Sequence, residues 1–196
     1  IYNWFDPITL IKAMALLKEK RPDIKLYFLG LKHPNPEVRE LQLANQTVEM
    51  AKKLDVCDKN VFFNYGWVDY EQRQNYLLEA DVGIITHPEQ IETRFSFRTR
   101  MLDYLWAGLP IISTEGDSLS ELIEKKDLGL VVKPEDAQNL ALAIERLADD
   151  KQFYSQCQEN IEMEAGQYQW DKICKPLIDF CRDPVFSAVR KKVDGS

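Results

Sequence analysis

Residues 82–113 read VGIITHPEQIETRFSFRTRMLDYLWAGLPIIS, and this stretch predicts the fold of the chain. It holds two almost uninterrupted apolar runs, at 82–85 and 110–113, separated by a polar segment and a run of helical residues. Strands that are apolar on both faces are typical of a parallel sheet covered by helices on each side. The stretch therefore predicts one strand–helix–strand unit of such a sheet.

The same alternation of apolar runs and helical periods continues along the chain. Apolar runs at 26–29, 61–63 and 129–132 predict three more strands, and amphipathic segments between them predict helices, one of them from about residue 38 to 51. Residues that begin helices are Asp6 before Pro7, Asp69 with Gln72, and Ser118 with Glu121. The sequence predicts an α/β fold: a three-layer α/β/α, Rossmann-like, doubly wound parallel sheet with a helical C-terminal annex and a frayed tail beyond Pro184.

Composition argues against several classes of function. With 25 Lys and Arg against 32 Asp and Glu, the net charge of −7 disfavours a nucleic-acid partner, because binding to phosphate backbones needs clustered cations. No run reaches the ~18 apolar residues that cross a bilayer, and the first residues lack a signal-peptide pattern. The four cysteines form no CxxC pair and there are two histidines, so we expect reduced thiols, no metal site and a cytoplasmic location.

The polar segment after the third strand holds the candidate site, since ligands of doubly wound sheets bind beyond the carboxyl ends of the strands. A helix is predicted from about residue 96 to 106, with Ser96 as its N-cap and Gly108 at its end. Arg98 and Arg100 fall in its first turn. Backbone N–H groups, the helix dipole and guanidinium groups together favour the binding of a diphosphate at this helix start.

Two carboxylates near this helix are candidate ligands of hydroxyl groups. Asp103 lies seven residues after Ser96, on a similar helix face, and Glu92 precedes the turn. A carboxylate accepts hydrogen bonds from neighbouring hydroxyls such as those of a ribose or a hexose. In the alternative interpretation, Ser96 only caps a helix, the arginines pair with surface acids, and Asp103 is solvated. The residues alone leave both interpretations open.

Residues 97–110, with DYLWAGLP at 103–110, resemble the signature of family 4 retaining glycosyltransferases, in which an acidic residue, a short aliphatic stretch, Gly, any residue and Pro close the donor site. Further motifs follow in the order of that family: Phe28-Leu29-Gly30, Val61-Phe62-Phe63 with Gly66, Ala80-Asp81-Val82, Gly116-Asp117, and Gly129-Leu130-Val131-Val132 with Pro134 and Asp136. The resemblance covers residues 1 to about 180. It implies the C-terminal, nucleotide-sugar-binding half of a GT-B fold.

The resemblance assigns roles to residues of the segment. It makes Asp103 the ribose-binding carboxylate, where the family usually has Glu. It makes the backbone from Ser96 through Phe97 to Thr99 the phosphate cradle. Arg98 or Arg100 would stabilise the leaving diphosphate, with Arg100 in the place of a family lysine.

Other assignments are open at the level of sequence. Gly66 and Trp67 would flank the nucleobase, but Trp67 could equally fill the edge of the sheet. Glu92 would be the sugar-binding glutamate only if a local insertion compensates for its place, because the family's spacing falls on Phe95. Asn3 and Trp4 either line the site or pack at a helix entrance, where the family has diphosphate-binding Arg and Lys.

The resemblance implies transfer of a sugar from a nucleoside diphosphate to a hydroxyl with retention, without metal or cofactor. It divides the chain into a donor-binding domain at 1–166 and a crossover helix and tail at 167–196. The Rossmann-like acceptor domain would lie outside this chain, so we expect donor binding without turnover. The resemblance further implies bacterial polysaccharide assembly on a glycan or lipid-linked acceptor, either in the cytoplasm or at the inner face of the membrane.

Two rival functions were considered. A nucleotide-binding regulatory or scaffold module that has lost transfer activity is favoured by the displaced Glu92 and the unusual first residues. Donor hydrolysis or sugar transfer by the full-length protein would exclude it. An NAD-binding domain is disfavoured, because the turn after Gly30 reads Leu31-Lys32-His33-Pro34 and holds no GxGxxG motif.

Overall fold

The structure is a computed structural model, and it describes residues 1–31, 35, 37 and 42–184. The predicted helix start near residue 38 and the predicted tail beyond Pro184 lie outside these residues. All statements of structure below concern the described part of the chain.

The described strands are short and lie in parallel ladders. They are β1 (Leu26–Phe28), β2 (Val61–Phe63), β3 (Gly83–Ile85), β4 (Ile111–Thr114) and β5 (Gly129–Val132). β1 pairs with β2, while β3, β4 and β5 pair in that order, with Ile84 beside Ile112 and Ile112 beside Leu130. The predicted parallel α/β fold is confirmed, with the difference that its ladder forms two hydrogen-bonded pieces.

Helices connect and cover these strands. They are α1 (Pro7–Leu17), α2 (Gln42–Lys53), α3 (Arg73–Glu79), α4 (Ile91–Phe95), α5 (Arg100–Ala107), α6 (Ser118–Lys126), α7 (Ala137–Asp149), α8 (Lys151–Ala165), α9 (Trp170–Ile173) and α10 (Lys175–Arg182). The helices after β5 supply the predicted annex. The division into domains at residue 166 stays a prediction.

One hydrophobic core joins the two pieces of the sheet. Leu10, Ile11 and Met14 of α1 are buried in the same cluster as Phe63 of β2 and Ile112 of β4. Full burial of each such side chain stabilises the fold by about 1.5–3 kcal/mol. The apolar face of α1 therefore holds β2 and β4 in one domain although their ladders do not meet.

The predicted start of α1 is confirmed, and Asp69 has the predicted N-cap position but does not cap with its side chain. Asp6 caps α1, because its carboxylate accepts a hydrogen bond from the Thr9 N–H at 3.0 Å. Asp69 makes no such side-chain bond, because the chain first forms a 3₁₀ turn at Tyr70–Gln72. In that turn the Gln72 N–H donates to the backbone oxygen of Asp69, so the helix start does not need the carboxylate.

The predicted capping box of Ser118 and Glu121 is wrong by one residue. Asp117 is the N-cap of α6, and its carboxylate accepts hydrogen bonds from the N–H groups of Leu119 and Ser120 at 3.0 and 2.7 Å. The Ser120 hydroxyl in turn accepts from the Asp117 N–H at 3.3 Å. The carboxylate reaches two N–H groups at once, and Asp117 is buried there.

A close contact with β3 fixes the position of α5. A Cβ atom on Gly83 would lie 2.4 Å from the Tyr104 ring, so a residue without a side chain is needed where the helix crosses the strand. The Tyr104 hydroxyl donates to the Ile84 carbonyl at 3.2 Å, and burial raises the pKa of Tyr104 to about 12. At the other end Gly108 stops the helix with φ of 71°, as predicted.

Candidate functional site

The site predicted from sequence lies in the connection between β3 and β4. This connection leaves the carboxyl end of β3, forms the short helix α4, turns through residues 96–99 and begins α5 at Arg100. Its charged side chains separate into a buried group and a group at the start of α5, and each makes its own contacts.

The N-cap prediction for Ser96 is wrong. Ser96 follows the last residue of α4, and its hydroxyl donates to the Thr93 carbonyl at 3.2 Å. Helix α5 begins four residues later, after a turn in which the Thr99 N–H donates to the Phe97 carbonyl at 3.0 Å. That bond occupies one N–H group of the predicted phosphate cradle. Binding of a donor by Ser96, Phe97 or Thr99 stays a prediction.

The buried Arg98 cluster consists of Arg98, Glu92 and Asp117. Arg98 is 7% exposed, and its guanidinium donates to both oxygens of Glu92 at 3.1 and 2.8 Å. Its Nε lies 3.8 Å from an oxygen of Asp117, whose side chain is 1% exposed. The Arg98 side chain thus pairs with two acids, while residues 96–99 form the turn that precedes α5.

Glu92 lies at the outer edge of this cluster. Its side chain is 50% exposed, and the hydrogen bonds from Arg98 hold the pKa of its carboxyl below the usual range. A carboxylate has more acceptor positions than Arg98 occupies. Glu92 can therefore accept a further hydrogen bond from a ligand hydroxyl, in an orientation that Arg98 fixes.

His87 lies fully buried beside the Arg98 cluster. Its backbone N–H donates to the Thr114 hydroxyl at 2.9 Å, but neither ring nitrogen has a hydrogen-bond partner among the described residues. Burial lowers the pKa of His87 to about 4, with a further lowering by the positive charge of Arg98 and an opposing effect of Glu92. The imidazole is therefore neutral in the folded chain at pH 7.

Acidification should cost the chain stability through His87. The unfolded chain takes up this proton near pH 6.5, whereas the folded chain does so near pH 4, so stability is complete above pH 6.5 and falls between these values. We expect the free energy of unfolding to drop by about 2 kcal/mol more from pH 7 to pH 5 in the unmodified chain than in His87→Gln. Urea unfolding at both pH values measures this difference, and equal drops would contradict it.

The Asp103 cluster consists of Asp103, Arg73 and Arg100. Asp103 lies in the first turn of α5, and its two oxygens accept from Arg73 and Arg100, each at 3.1 Å. Arg73, at the start of α3, is further held over the Tyr70 ring at 4.6 Å. The alternative interpretation is confirmed in that Arg98 and Arg100 pair with nearby acids. Its solvated Asp103 is wrong, because that side chain is 23% exposed and doubly paired.

The two arginines of this cluster differ in exposure. The Arg100 side chain is 47% exposed and that of Arg73 is 28% exposed. Exposed ion pairs are worth little, so a phosphate group can replace Asp103 as the partner of Arg100 at small cost. Arg100 is therefore better placed for an external anion than Arg98 is.

Gly66 and Trp67 follow the carboxyl end of β2. The Gly66 N–H donates to the Asn64 side chain at 3.1 Å, and that side chain donates to the Leu29 carbonyl at 3.0 Å. Trp67 is 54% exposed, and its role beside the nucleobase stays a prediction. The end of β2 is thus tied to the end of β1 with an indole ring beside it.

Three of the residues that complete these clusters were not expected from the sequence. Asp117 was recognised only as part of a motif, His87 carried no assigned role, and Arg73 was not singled out. The capping pattern read from Asp117 and Ser120, one residue before the predicted box of Ser118 and Glu121, would have identified Asp117. The contact of Arg73 with Asp103 joins residues 30 positions apart, and no local pattern marks it.

Two features are absent from the residues that the structure describes. None of the helices in this part is long and apolar enough to cross a bilayer. Nor do three or more His, Cys, Asp or Glu side chains in this part converge as metal ligands would. The four cysteines, all within the described residues, form no disulfide.

Solved structures define the class of protein to which this fold belongs. Sucrose-phosphate synthase from Thermosynechococcus elongatus is 20% identical with a TM-score of 0.73. The match covers 92% of this chain and 42% of the synthase chain. Anabaena HepE, described in complex with UDP and glucose, is 18% identical with a TM-score of 0.74. The match covers 93% of this chain and 46% of HepE. The chain has the fold of one Rossmann-like half of a GT-B glycosyltransferase.

The sequence comparison shows the family. The model of the family "Glycosyl transferases group 1" matches residues 5–163, and the chain belongs to this family. "Probable sucrose-phosphate synthase 2" of Oryza sativa subsp. japonica is 34% identical over 175 residues, which are 85% of this chain and 17% of the relative. The chain thus spans about one sixth of that plant relative. The predicted family resemblance is confirmed.

Proposed function

We propose that this chain binds a nucleoside-diphosphate sugar at the start of α5 and holds it for transfer, with retention of configuration, to a hydroxyl group. The observation that carries the proposal is the pairing of Asp103 with Arg100 in the first turn of a helix at the predicted ligand edge. Asp103 would accept the ribose hydroxyls, and Arg100 would exchange Asp103 for the diphosphate.

The remaining roles follow from exposure. Glu92, half exposed and held by Arg98, would accept hydrogen bonds from the sugar hydroxyls. Gly66 and Trp67 would flank the base. Arg98 is buried, so we assign it to orienting Glu92, and Arg100 would stabilise the charge of the leaving diphosphate. In this proposal protein cations take the role of a metal, and neither a metal nor a cofactor is required.

The activity of the whole protein is part of the same proposal. An acceptor-binding domain from the same polypeptide would face the Asp103 cluster and supply the rest of the active site, so this chain alone would bind donor without turnover. Family membership supports transfer over the alternative of a regulatory or scaffold module. A cytoplasmic or inner-membrane-surface role in bacterial polysaccharide assembly, on a glycan or lipid-linked acceptor, is the setting we propose from the family alone.

A map of UDP binding by NMR tests the location of the site. UDP is the first probe, because a solved structure of the same fold is described with UDP bound. We expect amide shift changes at residues 97–103 and at Gly66 and Trp67. Changes confined to the open cavity of about 590 Å³ that Lys126 of α6 and Asn160 of α8 help to line would contradict the proposal. The same map with Arg100→Gln, in which the changes should shrink, is the control.

A further inference from the structure

The first residues of the chain lie across the predicted ligand edge. The Ile1 nitrogen donates to the Gly30 carbonyl at 3.2 Å, next to the end of β1. Five residues later, the Asp6 N–H donates to the Thr86 carbonyl at 2.9 Å, next to the end of β3. These two bonds hold residues 2–5 between the carboxyl ends of β1 and β3, which is where doubly wound sheets bind their ligands.

Tyr2 and Trp4 form an exposed aromatic pair in this segment. Their rings are parallel within 2° with centroids 4.7 Å apart, and the residues are 42% and 43% exposed. We call this pair the aromatic platform. Two large rings held against each other leave a preformed apolar surface, and binding to it costs little ordering of side chains.

The platform connects inward to the Arg98 cluster. Trp4 lies 6.2 Å from the Phe5 ring, and Phe5 lies 5.3 Å from the buried ring of His87. The charges of Arg98 and Glu92 both act on His87. A chain of ring contacts therefore leads from the platform through Phe5 to the buried His87.

We infer that Tyr2 and Trp4 pack against the apolar C–H face of the donor's sugar ring while Glu92 accepts hydrogen bonds from its hydroxyls. This inference rests on the proposed function and adds the element that recognises the sugar. A hexose ring has an apolar face of C–H groups and an edge of hydroxyls, so it needs an aromatic surface and a hydrogen-bond acceptor on different sides. The platform and Glu92 are residues of these two kinds, and both adjoin the surroundings of His87: the platform through Phe5, and Glu92 through its charge.

Calorimetric titration of the chain with UDP and with UDP-glucose tests the inference. Trp4→Ala and Tyr2→Ala should each weaken UDP-glucose binding about three- to tenfold and leave UDP binding unchanged. Trp4→Phe, which keeps a ring, should recover most of the loss. Trp170→Ala is the matched control, because Trp170 of α9 is 78% exposed and lies outside the site.

Unchanged UDP binding also shows that a variant is folded. A weaker affinity for UDP-glucose in such a variant is then due to the missing ring and not to unfolding. Equal weakening of both ligands, or no weakening of either, would overturn the inference while leaving the proposed function in place. Failure of the unmodified chain to bind UDP would overturn the proposed function in this chain, and the platform with it.

Discussion

Replacement of Arg98 by methionine is expected to lower the free energy of unfolding by about 3 kcal/mol. Arg98 is 7% exposed and pairs with both Glu92 and Asp117. One oxygen of the buried Asp117 carboxylate has no hydrogen-bond partner among the described residues, and the guanidinium 3.8 Å away is the cation that offsets its charge. Removal of one partner from a buried pair costs more than the pair contributes, because the remaining charge is not solvated. Urea unfolding at pH 7 measures the effect.

Arg94→Met is the matched control for this variant. Arg94 lies four residues earlier, in α4, and is exposed, so its replacement should change the free energy of unfolding by less than about 0.5 kcal/mol. Arg98→Lys should fall between the two, because an ammonium keeps the charge but cannot make the paired bonds to Glu92. If Arg98→Met unfolds at the same urea concentration as Arg94→Met, Arg98 does not hold the cluster together.

The strands were predictable because their signal is local. Apolar runs at 61–63 and 129–132 became β2 and β5, and Asp6 and Gly108 begin and end helices as expected. Each of these features depends on residues within a few positions of one another. The division of the ladder into two pieces was not predictable, because pairing depends on which strands become neighbours.

The candidate site was predictable in its place but less so in its contacts. The segment with Glu92, Arg98 and Asp103 was correctly singled out as a cluster of charges, yet the start of α5 was wrong by four residues. Ser96 is a good N-cap by residue type, but α5 begins at Arg100, and Arg98 before it pairs with Asp117, nineteen positions on. Long-range ion pairs of this kind have no signature in a single sequence.

Asp103→Ala is expected to weaken UDP binding at least tenfold, because hydrogen bonds to a charged group contribute about 1.5–3 kcal/mol. Asp103 is the proposed acceptor of the ribose hydroxyls, and it also restrains Arg100 at 3.1 Å. Inorganic pyrophosphate lacks a ribose, so its binding should not weaken in this variant and should weaken in Arg100→Gln. Asp171→Ala is the matched control, since Asp171 is exposed in α9.

Calorimetric titration of UDP into the chain and into Asp103→Ala measures whether a nucleoside diphosphate binds at the Asp103 cluster. We expect measurable binding by the unmodified chain and a loss of tenfold or more in the variant, with pyrophosphate binding retained. Equal UDP affinity in the two proteins, or no binding to the unmodified chain, would contradict this expectation.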